Sequence, residues 1–173
     1  MKTEQRSILG TMQATDGNRL VGYAAVFDSP TTITEQGRTF TEVIRHGAFK
    51  RAVNAAGADI IATFNHDPSR VLGRTSAGTL QLSEDGRGLR FEVQLPDHAA
   101  DVREMVARGD VRGASFTFSP RPNGEKWTGT TRELTDLYVV ELGPVTMPAY
   151  RDTSVGLRSA QWYGLKLRLL ERA

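Results

Sequence analysis

Period-two alternation constrains this chain more than any other feature. Leu89, Phe91, Val93 and Leu95 alternate with Arg90, Glu92 and Gln94, the pattern of a strand with one buried and one wet face. Ser115-Phe116-Thr117-Phe118-Ser119 repeats it, with two phenylalanines on one face and three hydroxyls on the other. Such strands need a second layer to cover their apolar faces and some treatment of their edges. The 17 glycines and 7 prolines among 173 residues favour many turns and short strands over a helical bundle.

The rest of the chain reads the same way. Residues 1–18 are polar and read as a frayed end or a leading edge strand. Residues 20–27 read as a strand in which Gly22 allows a bend, 28–38 as a loop and 40–44 as a short strand. Residues 47–56 suit a helix with Phe49, Ala52, Val53 and Ala56 on one face and Gly57 as its stop. Residues 60–64 read as a buried strand that delivers Asn65-His66-Asp67-Pro68. Strands over 79–83 and 89–95 flank the turn signal Glu84-Asp85-Gly86. Asp97 is expected to cap a helix running to Arg108, with Val102, Met105 and Val106 inward and Gly109 ending it. Residues 120–131 read as a long hairpin excursion, 134–142 as a strand, and 159–172 as an amphipathic helix carrying Trp162, Leu165 and Leu169. Several antiparallel strands with two or three helices predict an α+β fold on a closed or nearly closed barrel, which would manage the strand edges.

Charge nearly balances, with 22 basic against 20 acidic residues and a net charge of +2. No Lys/Arg stripe with interleaved aromatics tracks along the chain, so a nucleic-acid partner is not expected. No stretch approaches the roughly 18 consecutive apolar residues of a membrane span, and the first ten residues lack the apolar run of a secretory signal. There is no cysteine, which removes a thiol nucleophile, disulfides and thiolate metal sites.

Three strand-edge contexts hold a serine, a histidine and a carboxylate: Ser115 after Gly113-Ala114, His66 at the end of an apolar strand, and Glu141 beside Val139 and Val140. A serine hydroxyl is a weak nucleophile that needs a base in reach, and the base needs a partner that fixes its tautomer. Gly113 allows close backbone approach near Ser115. The plain alternatives are a strand serine, a histidine bonding its own turn and an edge-strand glutamate facing water; the residues alone leave these open. Asp67 adjoins His66, but sequence neighbours rarely face each other. A metal site from His46, His66 and Asp67 is conceivable, yet its spacing matches no ligand pattern. His98 sits near a helix start. No phosphate loop or dinucleotide fingerprint occurs, so neither a cofactor nor a metal ion is expected.

Six stretches in order carry a family resemblance: Gly22-Tyr23-Ala24-Ala25-Val26-Phe27; Gly47-Ala48-Phe49; Phe64-Asn65-His66-Asp67-Pro68 with Leu72-Gly73-Arg74; Gly88-Leu89-Arg90-Phe91-Glu92; Gly113-Ala114-Ser115-Phe116-Thr117-Phe118; and Glu141-Leu142-Gly143-Pro144-Val145-Thr146-Met147-Pro148-Ala149. With them the chain resembles the prohead maturation proteases of tailed bacteriophages, serine peptidases related to the herpesvirus assemblins. The resemblance spans residues 20–155. It implies a mainly antiparallel β-barrel core with two or three peripheral helices. It implies Ser115 as nucleophile, His66 as general base and Glu141 as the orienting group, where the herpesvirus relatives use a second histidine. Asp136 and Asp67 stay open for that third place, and Gly143 stands where many relatives carry serine.

The implied protein is a serine endopeptidase that works inside the immature capsid in the bacterial host cytoplasm. Its partners would be the major capsid protein and the scaffold, which it cleaves, and its own chain is a further substrate to consider. Residues 1–158 would form the protease domain, and 159–173 a C-terminal amphipathic helix that docks or dimerises; homo-oligomerisation is left open. The rival reading is a non-catalytic capsid-assembly or scaffold-binding domain of the same fold.

Overall fold

The computed structural model describes residues 3–9 and 12–147. In chain order they form β1 (Glu4–Leu9), β2 (Met12–Thr15), β3 (Arg19–Val26), β4 (Thr31–Glu35), β5 (Arg38–Ile44), α1 (Lys50–Asn54), β6 (Ile61–Phe64), β7 (Asp67–Arg74), β8 (Leu80–Glu84) and β9 (Gly88–Gln94). A 3-10 turn (Asp97–Ala99) then leads into α2 (Ala100–Arg108), followed by β10 (Gly113–Pro120), β11 (Glu125–Thr128), β12 (Thr131–Leu134) and β13 (Leu137–Val145). The expected helix over 159–172 lies outside the described residues.

The strands make three sheets. One has the order β1-β10-β13-β6-β7, the second β2-β3-β9-β8, and the third β11-β12-β5-β4. Most pairings are antiparallel; β13 with β6 and β12 with β5 are parallel. The α+β class holds, with strand dominating. The barrel does not form: all three sheets are open. Closure requires the outermost strands of a sheet to pair with each other, and here β1 pairs with β10 and β7 with β6. The layers instead pack around one shared core. It takes Leu20, Leu89, Phe91 and Val93 from the second sheet, Phe116, Phe118 and Leu142 from the first, and Leu134 from the third. Phe49 meets Phe116 edge-on at 5.6 Å, and Phe116 stacks on Phe118 at 5.1 Å.

Local chemistry accounts for most departures from the sequence expectation. Residues 28–38 hold β4, because Thr31, Thr32, Ile33 and Thr34 are β-branched. Gln36 and Gly37, with φ of 52° and 78°, then turn the chain into β5. The first helix is only five residues, and the segment before it is stitched down by Glu84, whose carboxylate accepts the N–H groups of Gly47 and Phe49 at 2.9 Å each. Asp97 does not cap through its side chain; it opens the 3-10 turn instead. Val102 and Val106 face the core as their spacing predicts, and Gly109 ends α2 at φ 81°. The last strand runs from Leu137, and β12 takes up residues 131–134 before it.

Candidate active site

His66 lies in a two-residue turn. Asn65 and His66 alone connect β6 to β7, with φ of 56° and 57°, so both central residues are left-handed, as a two-residue hairpin of primed type demands. Asparagine and histidine are both among the non-glycine residues that adopt this conformation most readily. Asn65 also ties the turn to β13 and the residue after it. Its N–H donates to the Pro144 carbonyl at 3.0 Å, and its Oδ1 accepts the Thr146 N–H at 2.8 Å.

Ser115 and Glu141 reach the same face through an irregularity in the sheet. In the β10–β13 ladder Ser115 lies opposite Gly143 and Thr117 opposite Glu141, but Phe118 lies opposite Val139. Val140 is therefore a bulge. Strict alternation would put Glu141 on the face of Leu137 and Val139, which is the core. The extra residue shifts the parity, so Leu137 stays buried in the core while Glu141 joins the face of Ser115 and Thr117. The parallel contact of β13 with β6 is very close. A Cβ on Gly143 would stand 1.9 Å from the Thr63 carbonyl oxygen, so a serine at this position is incompatible with the backbone approach that this chain adopts.

These elements bring three side chains into line. His66 Nε2 is 2.8 Å from Ser115 Oγ, and His66 Nδ1 is 2.5 Å from Glu141 Oε2. Glu141 is 8% exposed and Ser115 1%. A carboxylate this buried needs partners for both oxygens. Thr63 Oγ1 donates to Oε1 at 2.5 Å, and Thr117 Oγ1 donates to Oε2 at 3.1 Å. A carboxylate facing Nδ1 holds the proton there, which leaves Nε2 a lone pair toward the serine hydroxyl. Such a file can move a proton from Ser115 to His66 while Glu141 compensates the charge that appears on the ring. The hydroxyl has a second acceptor, however. Ser115 Oγ donates to the Arg6 carbonyl of β1 at 2.9 Å.

The other sequence candidates lie elsewhere or serve other groups. Asp136 pairs with Arg51 at 2.8 Å and with Arg121 at 3.3 Å. Asp67 accepts the Ser69 N–H at 2.8 Å and so braces the strand after its own turn. His46 stands 3.3 Å from Asp28 and against the Phe27 ring, and His98 lies in the 3-10 turn. Among the described residues no three His, Asp or Glu side chains are grouped to hold a metal ion. Sequence reasoning passed over Thr63, Thr117 and Asn65. Thr117 had a visible signal, since it shares the hydroxyl face of the alternating run with Ser115. Thr63 had a weaker one, a lone hydroxyl in an otherwise apolar strand.

A family model described as caudovirus prohead serine protease matches residues 5–165 of the chain. No curated protein and no solved structure matches it.

Proposed function

The chain belongs to the caudovirus prohead serine protease family, and from that premise we propose that it is a serine endopeptidase using Ser115 as nucleophile, His66 as general base and Glu141 as the orienting carboxylate. The observation that carries this reading is the continuous file from Ser115 Oγ through both nitrogens of His66 to Glu141, at 2.8 and 2.5 Å. Ser115 Oγ attacks the scissile carbonyl as Nε2 takes its proton. The imidazolium is held by Glu141, itself fixed by Thr63 and Thr117. Nε2 then returns the proton to the leaving amine, and an acyl ester remains on Ser115. Water, deprotonated by the same nitrogen, cleaves the ester.

The family works in capsid maturation. For this chain the substrates proposed are the scaffold, or the scaffolding segment of the major capsid protein, together with its own chain, inside the immature capsid. Co-expression with the neighbouring capsid gene, read by intact mass, tests the reading. Wild type shortens the capsid or scaffold protein at a defined bond, and Ser115→Ala leaves it whole while melting at the same temperature. Cleavage that persists in Ser115→Ala removes Ser115 from the mechanism. Full-length masses in both lanes favour the rival reading of a non-catalytic assembly domain.

A further inference from the structure

The proposed nucleophile is bonded to the chain's own first strand. β1 is the outermost strand of the five-stranded sheet and pairs with β10, Ser7 lying opposite Ser115 and Arg6 opposite Phe116. Beside it Ser115 is 1% exposed, and a scissile carbonyl needs more room at Oγ than this arrangement gives. The Arg6 carbonyl also accepts the Ser115 proton at 2.9 Å. A hydroxyl has one proton, so the hydrogen bond that β1 receives is one that His66 Nε2 does not.

What holds β1 down is charge more than apolar burial. None of its six residues is fully buried, whereas β10 beside it is buried along most of its length. Its inward side chains Glu4 and Arg6 close a ring with Glu42 of β5 and Arg132 of β12. Arg6 forks onto both Glu42 oxygens at 2.7 and 2.9 Å. Arg132 forks onto both Glu4 oxygens at 2.6 and 2.8 Å, and it reaches Glu42 at 3.0 Å. Arg6 closes the ring on Glu4 at 2.8 Å and lies 5.5 Å from the centre of the Phe118 ring. Bidentate charged pairs fix one geometry, and a ring of four gives way together when one member is lost.

We propose that β1 is a strap that keeps Ser115 covered and its proton turned away from His66, latched by the Glu4–Arg132–Glu42–Arg6 ring, and that the strap must leave β10 before a polypeptide is cut. The inference rests on Ser115 as nucleophile, so its test includes a readout that needs no proteolysis. The chain has no cysteine, and Ser115→Cys therefore places a single thiol beneath the strap. Iodoacetamide should alkylate that thiol at least tenfold faster when Glu4→Gln opens the latch, in protein whose circular dichroism is unchanged. An equal rate with the latch intact overturns the strap.

A lock supplies the second arm. Ile8 and Ala114 lie opposite each other on β1 and β10. Antiparallel partners stand within the span of a disulfide, and Ile8→Cys gives up volume that Ala114→Cys needs. With Ser115 native and Glu4→Gln opening the latch, a fluorophosphonate should label the reduced double variant and not its disulfide form. Equal labelling of both forms overturns the strap. Labelling of neither, with the alkylation arm still accelerated by Glu4→Gln, upholds the strap and removes Ser115 as an activated nucleophile.

Discussion

At the scale of single residues, the site depends on second partners as much as on the three groups in line. Glu141 is useful to His66 only while its carboxylate stays fixed, and in a buried setting that falls to two threonines. Thr63→Val keeps the shape and removes the donor to Oε1. Left with an unsatisfied oxygen, the fold should lose about 1–3 kcal/mol, read from urea unfolding, and kcat should fall with KM unchanged because no substrate contact is lost. Glu141→Gln tests the orienting role directly. The amide cannot act as a carboxylate toward Nδ1–H, and kcat should drop about 10³–10⁴-fold in a folded protein. A loss under tenfold would assign the role to another group. Asp136 and Asp67 stood as alternatives to Glu141 in the sequence. Asp136 is held by Arg51 of α1 and by Arg121 just after β10, and Asp67 by Ser69 of its own strand, while Glu141 faces His66.

At the scale of elements, the β6–β13 contact and the bulge at Val140 aim the site. Gly143→Ala should push the two strands apart at a backbone-to-backbone contact that no rotamer can relieve. The expected cost is about 3 kcal/mol, at the upper end for overpacking, measured as a lower urea midpoint. A neutral effect would show that the two strands yield easily. β1 makes its own prediction through Glu4. Burial by itself raises that carboxyl; hydrogen bonds and charge from Arg132, then from Arg6, outweigh it and hold the group below its ordinary value. A carboxyl lowered by folding adds stability above its unfolded pKa of about 4.3, and that stability is lost as pH falls through the folded value. Thermal unfolding followed downward from pH 6 should therefore show a drop in midpoint at acid pH that is shallower in Glu4→Gln. Identical slopes would mean that Glu4 contributes nothing to the acid response.

At the scale of the whole molecule, three open sheets share one core, and the file of Ser115, His66 and Glu141 is drawn from β10, β13 and the β6–β7 turn of one of them. Residue order alone determined a good deal of this. The alternation at 89–95 and 115–119 sets half-buried strands, and the spacing of Val102, Val106 and Gly109 sets α2 and its end. The runs around Ser115, His66 and Glu141 mark strand and turn positions for the side chains that matter. These are local effects of period, propensity and turn chemistry, and each is legible within a few residues. Open sheets in place of a barrel were not legible, because closure depends on which distant edges meet. Nor was the parity shift at Val140, which is defined only against the partner strand. The placement of Glu141 rather than Asp67 or Asp136 beside His66, the two threonines that bond it and the Ser115 bond to β1 all join residues 24 to 109 positions apart. Tertiary structure alone decides such contacts, since a buried charge or hydroxyl takes the partner that packing places beside it.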